Sequence, residues 1–113
     1  MSLAPEALLV LSNVPNEEVA EQLARSIIDR RLAACINILP AMRSIYRWEG
    51  VVEEAHEVAM QIKTTTAHYD KLEAFIKAAH PYAVPEIIAI PIVDGLPAYF
   101  DWIKQETGKE PNA

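Results

Sequence analysis

This 113-residue sequence has one cysteine, three glycines and few aromatic residues. The single cysteine, Cys35, excludes an internal disulfide, and three scattered glycines provide no glycine-rich phosphate loop. No apolar run approaches the roughly 20 residues that a membrane-spanning helix needs. The first residues lack the basic and apolar regions of a signal peptide. We therefore expect a cytoplasmic protein that has no membrane partner.

Basic residues are also scarce, with 10 Lys and Arg against 16 Asp and Glu, for a net charge of −6. Nucleic-acid binding needs clustered positive charge. The only basic clusters are Arg30-Arg31 and the alternating pair Arg43 and Arg47. We therefore expect no nucleic-acid partner.

What remains is typical of a packed globular chain, with 51% hydrophobic and 23% charged residues. This length suffices for one hydrophobic core and is too short for two. We expect residues 1–113 to form a single domain.

The first half of the chain predicts strand, helix and a long hairpin. The apolar run 7–11 is strand-sized, and Asn16 is placed to cap a helix with an apolar stripe. Period-two alternation then extends over residues 33–64. Pro40 predicts a bend or bulge within the hairpin, and Glu49-Gly50 predicts its reversal.

The second half repeats the order of helix and strand. Thr65 or Thr66 is placed to cap a helix that ends at His80, because the next residue is a proline. An apolar strand is predicted over 86–93, and a short helix follows and stops before Gly108. The order βαββαβ predicts an α+β, ferredoxin-like fold, an antiparallel four-stranded sheet with both helices on one face.

The hairpin is too long for such a body. Fifteen strand residues reach roughly 50 Å, whereas a compact domain of this size is roughly 35 Å across. About a third of the hairpin should therefore project into solvent with large apolar side chains. We expect the chain to self-associate.

Cys35 and the histidines are the candidates for metal binding. Cys35 is either a buried small hydrophobe or a soft-metal ligand. His56 lies on the projecting hairpin, and His68 in the first turn of a helix, where we expect it to be solvated. His80, at a helix end, either hydrogen-bonds to carbonyl groups or binds a metal ion. The spacings match no zinc motif.

Other polar and aromatic residues predict a cleft. Glu57 and Lys63 share a strand face but lie roughly 20 Å apart, so each must meet another element. Trp48 is a candidate contact for a neighbouring chain, since aromatic anchors are typical of interfaces. No nucleophile–base–orienter trio is visible, and we expect no enzymatic activity. A small isomerase would need an acid–base pair that the sequence lacks.

A set of motifs in this order resembles the CutA divalent-cation tolerance family over about residues 7–106. The motifs are Leu32-Ala33-Ala34-Cys35, Tyr46-Arg47-Trp48-Glu49-Gly50, Glu57-Val58, Ile62-Lys63-Thr64, His80-Pro81-Tyr82, Pro85-Glu86, and Gly95 with Tyr99-Phe100-Asp101-Trp102-Ile103. The resemblance implies a ferredoxin-like protomer in a PII-like homotrimer, tolerance of copper and binding of divalent cations such as Cu²⁺.

The family's copper ligands are a cysteine on the first strand and histidine at the end of the second helix. Here Ser12 stands at the cysteine position, and Ala79 precedes the one histidine that remains. We expect metal ligands among His80, Cys35 and Glu86, and a ligand cleft formed by Trp48, Glu57, Lys63 and Tyr82.

Two functions follow. The first is a non-enzymatic homotrimer that binds a metal ion or small ligand in clefts between subunits. The alternative is a PII-like signalling or structural scaffold that binds a protein partner.

Overall fold

Four β-strands and three α-helices occur within residues 6–108, the part of the chain described by this computed structural model. The strands are β1 (Ala7–Val14), β2 (Cys35–Trp48), β3 (Val51–Thr65) and β4 (Ile88–Pro91), and the helices are α1 (Glu17–Asp29), α2 (Tyr69–Ala79) and α3 (Pro97–Glu106). The predicted α+β fold class, with its long hairpin and C-terminal helix, is confirmed.

The strands form one antiparallel sheet in the order β2-β3-β1-β4. Residues paired across neighbouring strands point to the same face, so Val10 and Ile62 lie side by side. Both are fully buried and belong to the core cluster that includes residues of α1 and α2. The two helices therefore cover one face of the sheet, and the opposite face, here called the helix-free face, has neither of them.

Helix α1 forms where its cap and apolar stripe predict it. The Asn16 side chain accepts a hydrogen bond from the Val19 N–H at 2.9 Å, a contact that stabilises a helix by about 1 kcal/mol. Ala20, Leu23 and Ile27 are buried against the sheet. Full burial of a leucine or isoleucine side chain contributes about 1.5–3 kcal/mol, so the stripe fixes the helix on the sheet.

A bulge and a tight turn shape the hairpin. Leu39 pairs with Ala59 and Met42 with Glu57, so β2 contains one extra residue at Pro40 and Ala41. This extra residue reverses which alternate positions of β2 point toward the helices. At the far end, Glu49 and Gly50 have φ of 50° and 84°, the left-handed backbone of a two-residue hairpin turn.

Beyond the bulge the hairpin projects from the body. We call residues 43–56 the ribbon, and none of them is buried. The described chain measures 47 × 31 × 22 Å with a radius of gyration of 15.0 Å, compared with about 13 Å for a compact domain of this length. Ile45 is 67% exposed and Val52 is 59% exposed. The predicted overhang is confirmed.

Three local predictions are wrong. The N-cap position of α2 is His68, not Thr65 or Thr66. Thr65 precedes a 3₁₀ turn at Thr66–His68, and its hydroxyl hydrogen-bonds with the His68 ring at 2.8 Å. His68 is therefore partly buried, not solvated. The last strand is limited to Ile88–Pro91, the residues in register with β1, and one further backbone hydrogen bond joins Ile92 to Ala7.

None of the helices within residues 6–108 is both long enough and apolar enough to cross a bilayer.

Candidate functional site

An open cleft of about 640 Å³ lies where the ribbon leaves the body. One side is the helix-free face, and the other is the loop between α2 and β4. Its lining includes three aromatic and two acidic side chains: Tyr46, Trp48, Tyr82, Glu57 and Glu86. Cross-strand pairing places Tyr46, Trp48 and Glu57 on the same face of the hairpin, since the bulge brings Met42 opposite Glu57.

A hydrogen bond between Tyr82 and Glu57 joins the loop to β3. The Tyr82 hydroxyl donates to Glu57 Oε2 at 2.8 Å, and Glu57 is only 8% exposed. Burial raises the pKa of Tyr82 to about 12, with further contributions from this hydrogen bond, the Glu57 charge and Tyr46. The phenol is therefore neutral at physiological pH and acts as a donor to a largely buried carboxylate.

His80 connects the loop between α2 and β4 to the end of β1. Its backbone N–H donates to the Ile76 carbonyl at 2.8 Å, which ends α2. Its Nε2 lies 2.7 Å from the Asn13 carbonyl oxygen, and its Nδ1 lies 3.1 Å from the backbone nitrogen of Tyr82. Because a carbonyl only accepts and an N–H only donates, the ring is neutral and carries its proton on Nε2.

The hydrogen bonds of His80 restrict its use as a metal ligand. Nε2 carries the proton that it donates to the Asn13 carbonyl, and the lone pair of Nδ1 accepts the Tyr82 N–H, so no ring lone pair is free in this conformation. The ring is 7% exposed and lies 4.7 Å from the Tyr82 ring. Of the two alternatives drawn from the sequence, the observed contacts match the histidine that hydrogen-bonds to a carbonyl group.

Asn13 connects the end of β1 to both sides of the cleft. Its carbonyl accepts from His80, and its side-chain amide donates to Glu86 Oε1 at 3.0 Å. Glu86 is exposed at the cleft, and its described partner is this neutral amide. Asn13 therefore positions a carboxylate and the histidine together.

Four of the seven predicted site residues line this cleft, namely Trp48, Glu57, Tyr82 and Glu86. His80 is not in the lining, but its hydrogen bonds hold in place the loop that forms one side of the cleft.

Two predicted residues lie elsewhere in the single chain. Cys35 and Lys63 are paired across β2 and β3 at the end of the hairpin that is farthest from the ribbon. Cys35 is partly buried, and the Lys63 ammonium donates to Asn37 Oδ1 at 2.7 Å. Six strand residues separate Lys63 from Glu57, roughly 20 Å, so one chain does not bring them together.

Ser12, at the position of the family's first-strand cysteine, is on the other side of the sheet. It is 1% exposed, and it alternates with the buried residues Val10 and Val14 on the face that the helices cover. Its hydroxyl oxygen has no hydrogen-bond partner within residues 6–108. The sheet therefore separates Ser12 from the cleft.

Sequence reasoning missed Asn13 and Tyr46. No sequence pattern connects Asn13 with its partners, which lie 67 and 73 positions later. Tyr46 could have been found, because it shares a strand parity with Trp48.

The donor set of one chain does not fit a resident copper or zinc site. Such ions take three or four nitrogen, sulfur or oxygen ligands from the protein. Among the described residues, no group of three or more His, Cys, Asp or Glu side chains is placed to hold a metal ion.

Comparisons with known proteins agree on a family. A sequence profile described as CutA1 divalent ion tolerance protein matches residues 8–106. A Thermus thermophilus protein named divalent-cation tolerance protein CutA is 50% identical over 100 residues, which cover 88% of this chain and 97% of that protein. A Mus musculus protein named Protein CutA is 44% identical over 99 residues, which cover 88% of this chain and 56% of that protein.

A solved structure of the divalent cation tolerance protein (Cut A1) from Thermus thermophilus has the same fold. It superposes with a TM-score of 0.89 at 49% identity, covering 90% of this chain and 99% of that one. This chain thus spans nearly all of the bacterial relative and about half the length of the mouse relative.

Proposed function

This chain belongs to the CutA1 divalent ion tolerance protein family, and on that premise we propose that it is a cytoplasmic, non-enzymatic homotrimer. Each cleft binds a divalent cation or a small ligand where subunits meet. The observation that carries the proposal is the position of the cleft. It lies at the base of a ribbon that projects beyond its own body, and it opens on the helix-free face.

The uncovered apolar surface supports self-association. On the helix-free face Leu39 is 40% exposed, Ile88 49% and Ile90 44%. Strand β2 is also an edge of the sheet, so one side of the ribbon has no strand beside it in the single chain. Exposed apolar groups on this face, together with an open strand edge, favour association with another chain.

Light scattering tests the trimer. The expected mass is three times the 12.6 kDa of one chain. Val51, near the ribbon tip, is 58% exposed, and Val51→Glu is expected to dissociate the assembly by placing a charge in the contact. Gln22→Glu adds the same charge on the exposed surface of α1 and is expected to leave the mass unchanged. A monomeric wild type would refute the trimer.

Metal binding in this proposal needs ligands from more than one subunit, because one chain supplies too few. Glu86 lines the cleft, and His80 would join only by giving up a hydrogen bond. Cys35 and Lys63 would have to approach from a neighbouring subunit.

Calorimetric titration with Cu²⁺ tests these roles. We expect Glu86→Gln to weaken binding by about tenfold or more, whereas Glu73→Gln removes an exposed carboxylate on α2 and serves as the charge control. Identical isotherms for wild type and His80→Ala would remove His80 from the metal site.

The scaffold alternative is favoured by exposed apolar surface outside the cleft. Val52 is 59% exposed and lies on the face of the ribbon opposite Trp48, which suits contact with a protein partner. Thermal unfolding separates the two functions. A metal ion that binds the folded state raises the unfolding midpoint, and no shift at millimolar metal concentrations favours the scaffold.

A further inference from the structure

The cleft carries negative charge that its own chain does not neutralise. Glu57 is more than nine-tenths buried, and its described partner is the neutral Tyr82 hydroxyl. The partner of Glu86 is the neutral Asn13 amide. Neither carboxylate takes part in an ion pair within residues 6–108. Withdrawing a carboxylate from water without an opposite charge is unfavourable, so the cleft favours a cationic occupant.

The walls of the cleft indicate which kind of cation. Tyr46 and Trp48 are 42% and 44% exposed, and with Tyr82 they present aromatic surface to the cleft. The faces of aromatic rings attract ammonium groups by about 0.5–2 kcal/mol. Copper and zinc instead require nitrogen, sulfur or oxygen ligands, and aromatic carbon supplies none.

The size of the cleft agrees with the chemistry of its walls. Its volume of about 640 Å³ is within the range of about 300–1,000 Å³ found for small-molecule sites. No described group of three metal-binding side chains is present. Lys and Arg are absent from the described lining, so no cationic side chain of the same chain occupies the space.

We propose that this cleft binds an organic ammonium ion beside Tyr82, with Glu57 and Glu86 supplying the counter-charge and Tyr46 and Tyr82 contacting the alkylammonium group. The inference rests on the proposed function, because it assigns a ligand class to the same cleft. Tyr82 acts as a positioning residue, since its hydroxyl holds the Glu57 carboxylate at the wall.

The alternative source of positive charge is Lys63 of a neighbouring subunit. In that case an ammonium ligand would compete with a covalently held ammonium group already in place. Wild-type protein would then fail to bind the ligand, and Lys63→Gln would gain binding.

The experiment uses tetramethylammonium and its neutral counterpart tert-butanol, which are close in size and shape. Each is titrated into the full chain, and binding is followed by NMR chemical shifts and tryptophan fluorescence. Tetramethylammonium is expected to bind about tenfold more tightly than tert-butanol. Because the two probes have similar apolar surfaces, this difference in affinity reports the contribution of the charge.

Three variants locate the site. Glu57→Gln keeps an acceptor for Tyr82 but removes the charge, and it is expected to abolish most of the tenfold preference. Tyr46→Leu keeps apolar volume and is expected to weaken tetramethylammonium binding several-fold. Glu73→Gln changes the net charge by the same amount on the exposed surface of α2 and is expected to leave binding unchanged, because an exposed charge is screened.

The outcomes separate the two proposals. Equal affinity for the two probes, no saturable binding, or binding only in Lys63→Gln overturns the ammonium site. Light scattering on the same samples reports the trimer independently. A trimer that ignores tetramethylammonium refutes this inference and leaves the assembly intact, whereas a monomer that binds it supports this inference and refutes the assembly.

Discussion

One end of the long hairpin lies inside the body of the protein, and the other end, the tip, lies outside it. Ile62 of β3 is fully buried, whereas Ile45 of β2 is 67% exposed. Both residues belong to one antiparallel pair with the same alternation of side chains. They differ because α1 and α2 cover the body, while residues 43–56 continue past them. The same secondary structure therefore builds a core at one end and a binding surface at the other.

The largest expected effect on stability comes from truncating an isoleucine to alanine, once in the body and once in the ribbon. Ile62→Ala is expected to lower the free energy of unfolding by about 2–5 kcal/mol at every protein concentration. Ile45→Ala is expected to cost no more than about 0.5 kcal/mol in the dissociated chain. Urea unfolding at several protein concentrations measures both. A large, concentration-independent cost at Ile45 would break the distinction between body and ribbon.

Two histidines offer the next comparison. His80→Ala leaves the Asn13 carbonyl and the Tyr82 N–H without their partner, and it is expected to cost about 1–3 kcal/mol. His56 is exposed on the ribbon, and His56→Ala is expected to change stability by less than about 0.5 kcal/mol. Chemical unfolding of both variants tests this difference. Equal costs would mean that the His80 hydrogen bonds contribute nothing to the body.

A third comparison concerns the turn at the ribbon tip, where a substitution changes stability only through the backbone conformation that it requires. A Cβ added at Gly50 would meet no atom within 4 Å, but φ is 84°. Gly50→Ala is therefore expected to cost about 1 kcal/mol from the left-handed backbone. Gly50→Asn is the matched control, since asparagine tolerates this conformation better. Thermal unfolding of the two variants should rank alanine below asparagine, and the opposite order would contradict the argument.

The smallest expected effect is a change in the free energy of unfolding that occurs only at alkaline pH. It is caused by Tyr82, which lines the cleft where ribbon and body meet. Its folded-state pKa is raised from 10.0 to about 12, so the folded state holds the proton more tightly than the unfolded chain. The resulting stability is fully present below pH 10 and is lost as pH rises toward 12. The difference in unfolding free energy between wild type and Tyr82→Phe should narrow across this interval. A constant difference would show that the phenol does not titrate as described.

Glu57→Gln separates the causes of that pKa. Burial is the largest cause, so the pKa of Tyr82 is expected to fall when the Glu57 charge is removed but to stay above its ordinary value of 10.0. Ultraviolet absorbance of the phenolate follows the titration, and Tyr82→Phe identifies the signal. A pKa at or below that ordinary value in Glu57→Gln would make the charge, not burial, the main cause.

Features set by neighbouring residues were accessible from the sequence. Asn16 caps α1 because its acceptor lies three residues from the N–H that it binds. Glu49 and Gly50 reverse the hairpin, and Pro40 lies at the bulge, since each depends on local backbone preference. The cap predicted at Thr65 failed although its partner is also local, because the hydroxyl hydrogen-bonds with the His68 ring three residues later and not with a helix N–H.

The candidate site was only partly accessible. Trp48, Glu57, Tyr82 and Glu86 were proposed one by one, but no spacing shows that Tyr82 reaches Glu57 across 25 residues. Asn13 binds two residues far along the chain, and nothing in its local sequence marks it. Lys63 shares a strand face with Glu57, yet the geometry of an extended strand keeps them apart.

The sequence by itself determined the order of the elements, the apolar stripe of α1 and a hairpin too long for its body, because periodicity and turn preferences act over a few residues. The tertiary structure alone decided that the ribbon's aromatic residues, the Glu57 carboxylate and the loop after α2 enclose one cleft. That outcome depends on the bulge, which sets the face on which Tyr46 and Trp48 lie. It also depends on His80, whose two hydrogen bonds hold the loop against the end of β1.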